Sequence, residues 1–162
     1  MESLNYLLKI VDQISDLPLE NLKVEEQNKD YQGLTFSIGQ QTFRSRTAKI
    51  TPKKLGYFVA FWEKDRANKN QPYESVSAPE KLIITIFDQE KVGQFIFPKA
   101  ILAEQHILTT GSIKGKMALR LYPDWVMGLN KTASKTQQWQ SPYFIDLTDT
   151  WDVTLVQQLY FD

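Results

Sequence analysis

The chain has 162 residues, 42% of them hydrophobic, with nineteen Lys and Arg against nineteen Asp and Glu and no cysteine. That length suits a single domain, residues 1–162, with a sizeable core, and the missing cysteine excludes disulfides, thiolate metal sites and cysteine nucleophiles. The zero formal charge conceals a segregation, because Arg44 to Lys135 holds sixteen of the nineteen basic residues but eight of the nineteen acids.

Met1-Glu2-Ser3-Leu4-Asn5 lacks the basic-then-apolar pattern of a secretory signal, and no apolar run approaches the length of a membrane span. A cytoplasmic protein with no membrane partner is the expectation. Leu4, Leu7, Leu8, Val11 and Ile14 recur every three or four residues, which predicts an amphipathic helix over 3–15 that Asp16-Leu17-Pro18 ends. After a polar connector, Tyr31–Ile38 and Gln41–Ile50 read as two strands joined by a tight turn at Gly39-Gln40. Tyr57–Lys64 reads as an aromatic-rich strand, and 65–80 as a polar surface loop prone to disorder. Leu82–Phe87 is a near-continuous apolar run, as in a strand buried on both faces, and Val92–Phe97 is its partner across Asp88-Gln89-Glu90-Lys91. Pro98 opens a short helix to Gln105, Gly111–Gly115 is a glycine loop, and Lys116–Tyr122 is a further strand. Asn130–Gln140 reads as a helix, and Trp151–Tyr160 as helix rather than strand. The order is α+β, a mostly antiparallel sheet flanked by helices.

The basic stretch is interleaved with aromatic rings, and clustered cations beside flat rings suit an anionic, base-bearing partner. Alternation along 41–50 puts Arg44 and Arg46 on one face, with Lys49, Lys53 and Lys54 following. Such a row could grip phosphates, or be a solvated face paired with neighbouring carboxylates. On 116–122, Ala118, Arg120 and Tyr122 share the face opposite Met117, Leu119 and Leu121, and Lys116 and Trp125 flank it. Lys135 and Trp139 lie four residues apart on the 130–140 helix. Trp62, Tyr122, Trp125 and Trp139 are the candidate stacking groups, with Trp139 also a candidate for the core. Gly111-Ser112-Ile113-Lys114-Gly115-Lys116 is not a nucleoside-triphosphate loop: three residues separate its glycines, and Met117 follows the lysine. His106 is the only histidine, so histidine-pair metal sites are excluded. Asp88 and Glu90 are the candidate acids for a divalent metal or catalysis, and their setting is first of all a hairpin turn.

Four blocks carry a family resemblance: Ala48-Lys49-x-Thr51-Pro52-Lys53-x-x-Gly56-x-Phe58-Val59-x-x-Trp62, Gly93-Gln94-Phe95-Ile96-Phe97-Pro98-Lys99, Gly115-Lys116-x-Ala118-x-Arg120-x-Tyr122-Pro123-x-Trp125, and Lys135-Thr136-Gln137-x-Trp139-Gln140. Over roughly 40–145 the chain resembles the MepB family. The resemblance implies a small bacterial cytoplasmic protein, in some genomes encoded beside a multidrug efflux pump and its repressor, and it implies no activity. The apparent order of elements is also similar to that of restriction-endonuclease-type nucleases. Those pair an Asp with Glu-x-Lys or Asp-x-Lys around a metal, whereas Thr47 stands two before Lys49 and no Glu-x-Lys follows Asp88. The expectation is a non-catalytic protein that needs no cofactor and binds nucleic acid or a nucleotide through Arg44, Arg46, Lys49, Lys53, Lys54, Lys116, Arg120 and Lys135. The alternatives are a metal-dependent phosphodiester hydrolase using Asp88 and Glu90, or a regulatory module that meets an acidic protein.

Overall fold

Leu7, Ile10, Val11 and Ile14 form the buried stripe of helix α1, Glu2–Ile14, in the computed structural model, which describes residues 1–162. The strands follow as β1 (Leu19–Val24), β2 (Leu34–Ile38), β3 (Gln41–Thr47), β4 (Lys49–Ile50), β5 (Tyr57–Ala60), β6 (Glu63–Lys64), β7 (Asn70–Gln71), β8 (Lys81–Asp88) and β9 (Lys91–Pro98). Then come α2 (Lys99–Glu104), β10 (Ala118–Leu121), α3 (Lys131–Gln140), β11 (Phe144–Asp146) and α4 (Val153–Phe161). No helix is long and apolar enough to cross a membrane.

A six-stranded sheet in the order β1-β2-β3-β8-β9-β11 forms the centre, antiparallel throughout except for the parallel pair β3–β8. Period-two alternation divides its side chains between two cores. Phe36, Phe43, Ile83 and Ile96 meet α1 and α4 on one face. Leu82, Ile84, Phe95 and Phe97 meet a three-stranded sheet, β10-β5-β4, on the other, through Tyr57, Val59, Leu119 and Leu121. Burying each large side chain of this kind contributes about 1.5–3 kcal/mol, and β8 and β9 are covered on both faces. The helix-side core is pinned by a polar chain: Tyr160 donates to Gln94 Oε1 at 2.7 Å, and Gln94 Nε2 donates to Thr85 Oγ1 at 3.0 Å. Lys81 Nζ donates to the Leu159 carbonyl at 3.0 Å and closes the end of α4, whose start is capped by Asp152 on the amide of Thr154 at 2.8 Å.

The run expected as one strand, 41–50, is divided. Ala48 is buried and its amide still bonds the Thr85 carbonyl at 3.0 Å, after which Lys49 and Ile50 leave the large sheet and pair with Phe58 and Tyr57. A small residue at this corner lets one segment serve two stacked sheets. Tyr57–Lys64 is divided likewise into β5 and β6. Tyr31 closes a single 3-10 turn rather than opening a strand. Three strands had no sequence signal: β1, exposed along nearly its whole length, the two-residue β7, and the three-residue β11. Within 65–80, expected as surface loop, β7 forms and Tyr73 is 3% exposed in the core between the sheets.

Candidate functional site: the outer face of the small sheet

The small sheet turns Tyr57, Val59, Leu119 and Leu121 inward, so Phe58 and Ala60 on β5 and Ala118 and Arg120 on β10 point out. Register pairs Lys49 with Phe58 and Phe58 with Arg120, giving a cation–aromatic–cation row across three strands. The next row is Ala60 opposite Ala118, two methyl groups that leave the middle of the face shallow.

Clefts flank this face on both sides. One, of about 310 Å³, runs between β10 and α3 and is bordered by Lys116, Arg120, Tyr122 and Trp139. It continues past Arg120 and Tyr122 into a recess of about 430 Å³ bordered by Lys54 and the loop before α3. No carboxylate lines either part. Arg120 has no acidic partner: its Nη2 donates to Thr51 Oγ1 at 2.6 Å and to the Leu55 carbonyl at 2.9 Å. A guanidinium held only by neutral acceptors keeps its full charge for an incoming anion. Gln140 builds the floor. Fully buried, it accepts from the Tyr122 amide at 3.0 Å and donates to the Arg120 carbonyl at 2.9 Å, pairing the open edge of β10 as a neighbouring strand would.

The other cleft, about 630 Å³, is walled by Tyr31 and Trp62 over Ala60 and Asn28. Its rim carries Lys29 and Lys64 against Glu26 and Asp30, so it is balanced in charge. Lys64 Nζ lies 5.2 Å from the Trp62 ring centroid and Lys49 Nζ 4.7 Å from that of Tyr31. Tyr31 meets Phe58 edge-on at 6.2 Å, which joins this wall to the sheet face.

Of the cations expected to meet phosphates, Lys49, Lys54, Lys116 and Arg120 are therefore gathered on one face. Lys49 spends part of its charge on Asp30 at 3.6 Å, an exposed pair of small energetic weight. Lys53 and Lys135 are exposed but line neither cleft.

Arg44 and Arg46 are a correction. They do share a face of β3, but that face looks into the protein. Arg46 is fully buried, and Arg44 and Glu25 have side chains only 12% and 11% exposed. Glu25 Oε1 accepts from Arg46 Nη1 at 2.7 Å and from Arg44 Nε at 3.0 Å. Arg46 Nη2 donates to the Tyr73 hydroxyl at 2.8 Å and to Asn28 Oδ1 at 3.3 Å, and the Arg44 guanidinium stacks 3.8 Å over the Tyr73 ring. Burial alone would raise the Glu25 carboxyl, but the two guanidiniums and their hydrogen bonds outweigh it and hold it below the usual carboxylate range. Arg46 presents no surface to a phosphate; it locks the segment after β1 onto the central sheet. Gly33 lies against it, so close that an alanine Cβ would sit 2.8 Å from Arg46 Nη1 and 3.2 Å from Glu25 Cβ. Gly33→Ala should destabilise the fold by about 1–3 kcal/mol in urea unfolding, because the enclosed guanidinium has nowhere to move.

The rings divide similarly. Trp125 packs edge-on against Tyr57 and Phe144, Trp139 packs 5.4 Å from Phe97, and Tyr122 is 9% exposed, so these three are largely core. Trp62 alone of the four tryptophans packs with neither core cluster. The glycine loop is structural too. The Gly115 amide donates to Thr109 Oγ1 and the Lys116 amide to the Ile107 carbonyl, both at 2.9 Å, so neither is free for an anion. Gly115→Ala would drive a Cβ into the Ile107 carbonyl, and a clear drop in melting temperature is expected.

Asp88 accepts from the Tyr57 hydroxyl at 2.6 Å, which Trp125 Nε1 also bonds at 3.0 Å. Burial, then the Asp88 bond, pushes the Tyr57 hydroxyl up to about 12. Glu90 is exposed at the turn, and nowhere do three His, Asp or Glu side chains converge as a metal site. His106 is exposed at the end of α2 with φ 55°. The ligand set that a metal-dependent hydrolase would use is not assembled around Asp88 and Glu90.

A family model described as MepB-like matches residues 25–146, from the ion-paired Glu25 to the end of β11. The chain belongs to the MepB-like family. A crystal structure of MepB is 45% identical to it in sequence, covers 93% of this chain and 99% of its own, and superposes with a TM-score of 0.81. No curated protein matches the chain. The matched region contains both sheets' shared corner, the Arg46 network and the whole β10–α3 groove, and leaves out α1 and α4.

Proposed function

We propose that this MepB-like protein is a binding protein for nucleic acid, with phosphates held in the groove between β10 and α3. The observation that carries this reading is the acid-free convergence of Lys54, Lys116 and Arg120 along that groove, with Arg120 fixed by neutral acceptors alone. Three cations without counter-carboxylates on an open groove repel one another, and a phosphate chain relieves that repulsion while releasing its own counterions. No step of bond breaking is part of the reading.

The test is fluorescence anisotropy with a labelled oligonucleotide at several salt concentrations. Three phosphate contacts predict a logarithmic salt slope of about −2 to −3, or roughly a 15- to 40-fold weakening between about 50 and 200 mM salt. Lys54 and Lys116 are exposed, so their double alanine variant should keep its circular dichroism and lose about two in slope. A dissociation constant unmoved by salt, or by that double variant, would overturn the proposal.

A further inference from the structure

The groove explains phosphate contact but leaves the Trp62 cleft unexplained, on the opposite flank of the same three-stranded sheet. A tryptophan is seldom left beside open space, since it forgoes the burial of a large apolar surface. The other three tryptophans are packed against one or other core; Trp62 is not. Its position is nevertheless fixed. The backbone amide of Trp62 donates to Asn28 Oδ1 at 3.3 Å, and Asn28 is in turn held by the fully buried Arg46. Asn28 is 8% exposed, adopts a left-handed backbone conformation with φ 59°, and has a buried side-chain nitrogen with no partner. Its side-chain oxygen accepts both of these bonds, so the unpaired atom is the buried amide nitrogen.

Resting on the proposed binding of nucleic acid, we infer that the strand bound is single, with phosphates on the β10–α3 side and an unstacked base against Trp62. Three observations fit together. The two flanks differ in chemistry: one is cationic without acids, and the other is aromatic with charges in balance. They adjoin at the Ala60–Ala118 pair, Ala60 bordering one and Ala118 the other, neighbours across one strand spacing of about 5 Å. Phe58 lies beside that pair, between Lys49 and Arg120, and continues the flat surface. In a duplex the faces of the bases are already covered by their neighbours, so a recessed ring can receive a base only from an unpaired strand. The order of the face, ring then small residues then cations, matches a base and its phosphate lying crosswise on a sheet.

The experiment compares three labelled probes on the full chain: an oligothymidylate of about twelve nucleotides, long enough for one sheet platform, a duplex of the same length, and inorganic polyphosphate. The single strand should bind at least about tenfold tighter than the duplex and quench tryptophan fluorescence. Trp62→Ala should weaken the single strand by about 5- to 150-fold, the worth of one base–aromatic stack, and abolish the added quenching. It should leave polyphosphate binding unchanged. Trp62→Phe, which keeps a stacking ring, should restore most of the affinity, and this separates a stacking role from damage to the fold. Equal affinity for single strand and duplex, with Trp62→Ala neutral, would overturn the inference while leaving the groove reading in place. Absence of binding to all three probes at low salt would overturn both.

Discussion

Glu25→Ala should cost about 3–5 kcal/mol of folding stability, the loss expected when one partner of a buried ion pair is removed. At this chain length that lowers the melting temperature by roughly 6–20 °C. The carboxylate is the one anion facing both Arg44 and Arg46, and Arg46 has no solvent to fall back on. The double variant Glu25→Leu with Arg46→Met should lose much less than the sum of the single changes, because no buried charge is then left alone. Equal and additive losses in urea unfolding would show that packing, not the ion pair, holds this corner. The pH dependence follows from the depressed carboxyl of Glu25. Because its folded value lies below the unfolded one, near 4.3, the stabilisation is complete above about pH 5 and fades as pH falls through the folded value. The stability gap between the protein and Glu25→Gln should therefore be constant from neutral pH to about pH 5 and narrow below about pH 4.

Gln140→Ala should cost about 2–4 kcal/mol, since it leaves the Tyr122 amide and the Arg120 carbonyl buried against the helix without partners. The same change tests the site, because Gln140 ties α3 to β10 and so sets the width of the groove. Weakened oligonucleotide binding is expected together with the stability loss, at temperatures where the variant is still folded. Gln140→Glu is the sharper probe: it keeps the acceptor for Tyr122, loses the donor for Arg120, and puts a carboxylate into an acid-free groove. It should bind worse than the alanine variant. Binding unchanged in both would separate the groove from nucleic acid altogether.

Leu82–Phe87 was legible as a central strand because both of its faces are apolar, and it lies between β3 and β9 as such a strand must. The α1 stripe and the turns at Gly39 and Gln89, both at positive φ, were legible for the same reason: each depends on residues near one another in sequence. β1 was not legible, because an edge strand exposed on both faces has no alternation to read, and its register with β2 is broken between Glu20 and Lys23. Arg44 and Arg46 illustrate the opposite failure. Period-two alternation correctly placed them side by side, but alternation does not say which face is solvent. Two arginines on a strand read as surface until a distant Glu25 and a loop tyrosine, Tyr73, are brought over them. The one available hint was Pro72-Tyr73 inside an otherwise polar loop.

By itself, the sequence determined the α+β class, the family, the absence of cysteine and histidine-pair chemistry, and the surplus of cations between Arg44 and Lys135. Those depend on composition and on short-range periodicity, which the chain carries wherever it folds. Only the tertiary structure decided how that surplus is spent. It buries Arg46 with Glu25, commits Trp125 and Trp139 to the core, and leaves Lys54, Lys116 and Arg120 on one groove with Trp62 across the sheet. The reason is physical: whether a charge is paired or free depends on what lies within a few ångströms of it in space, and here those neighbours are 18 to 69 residues away along the chain.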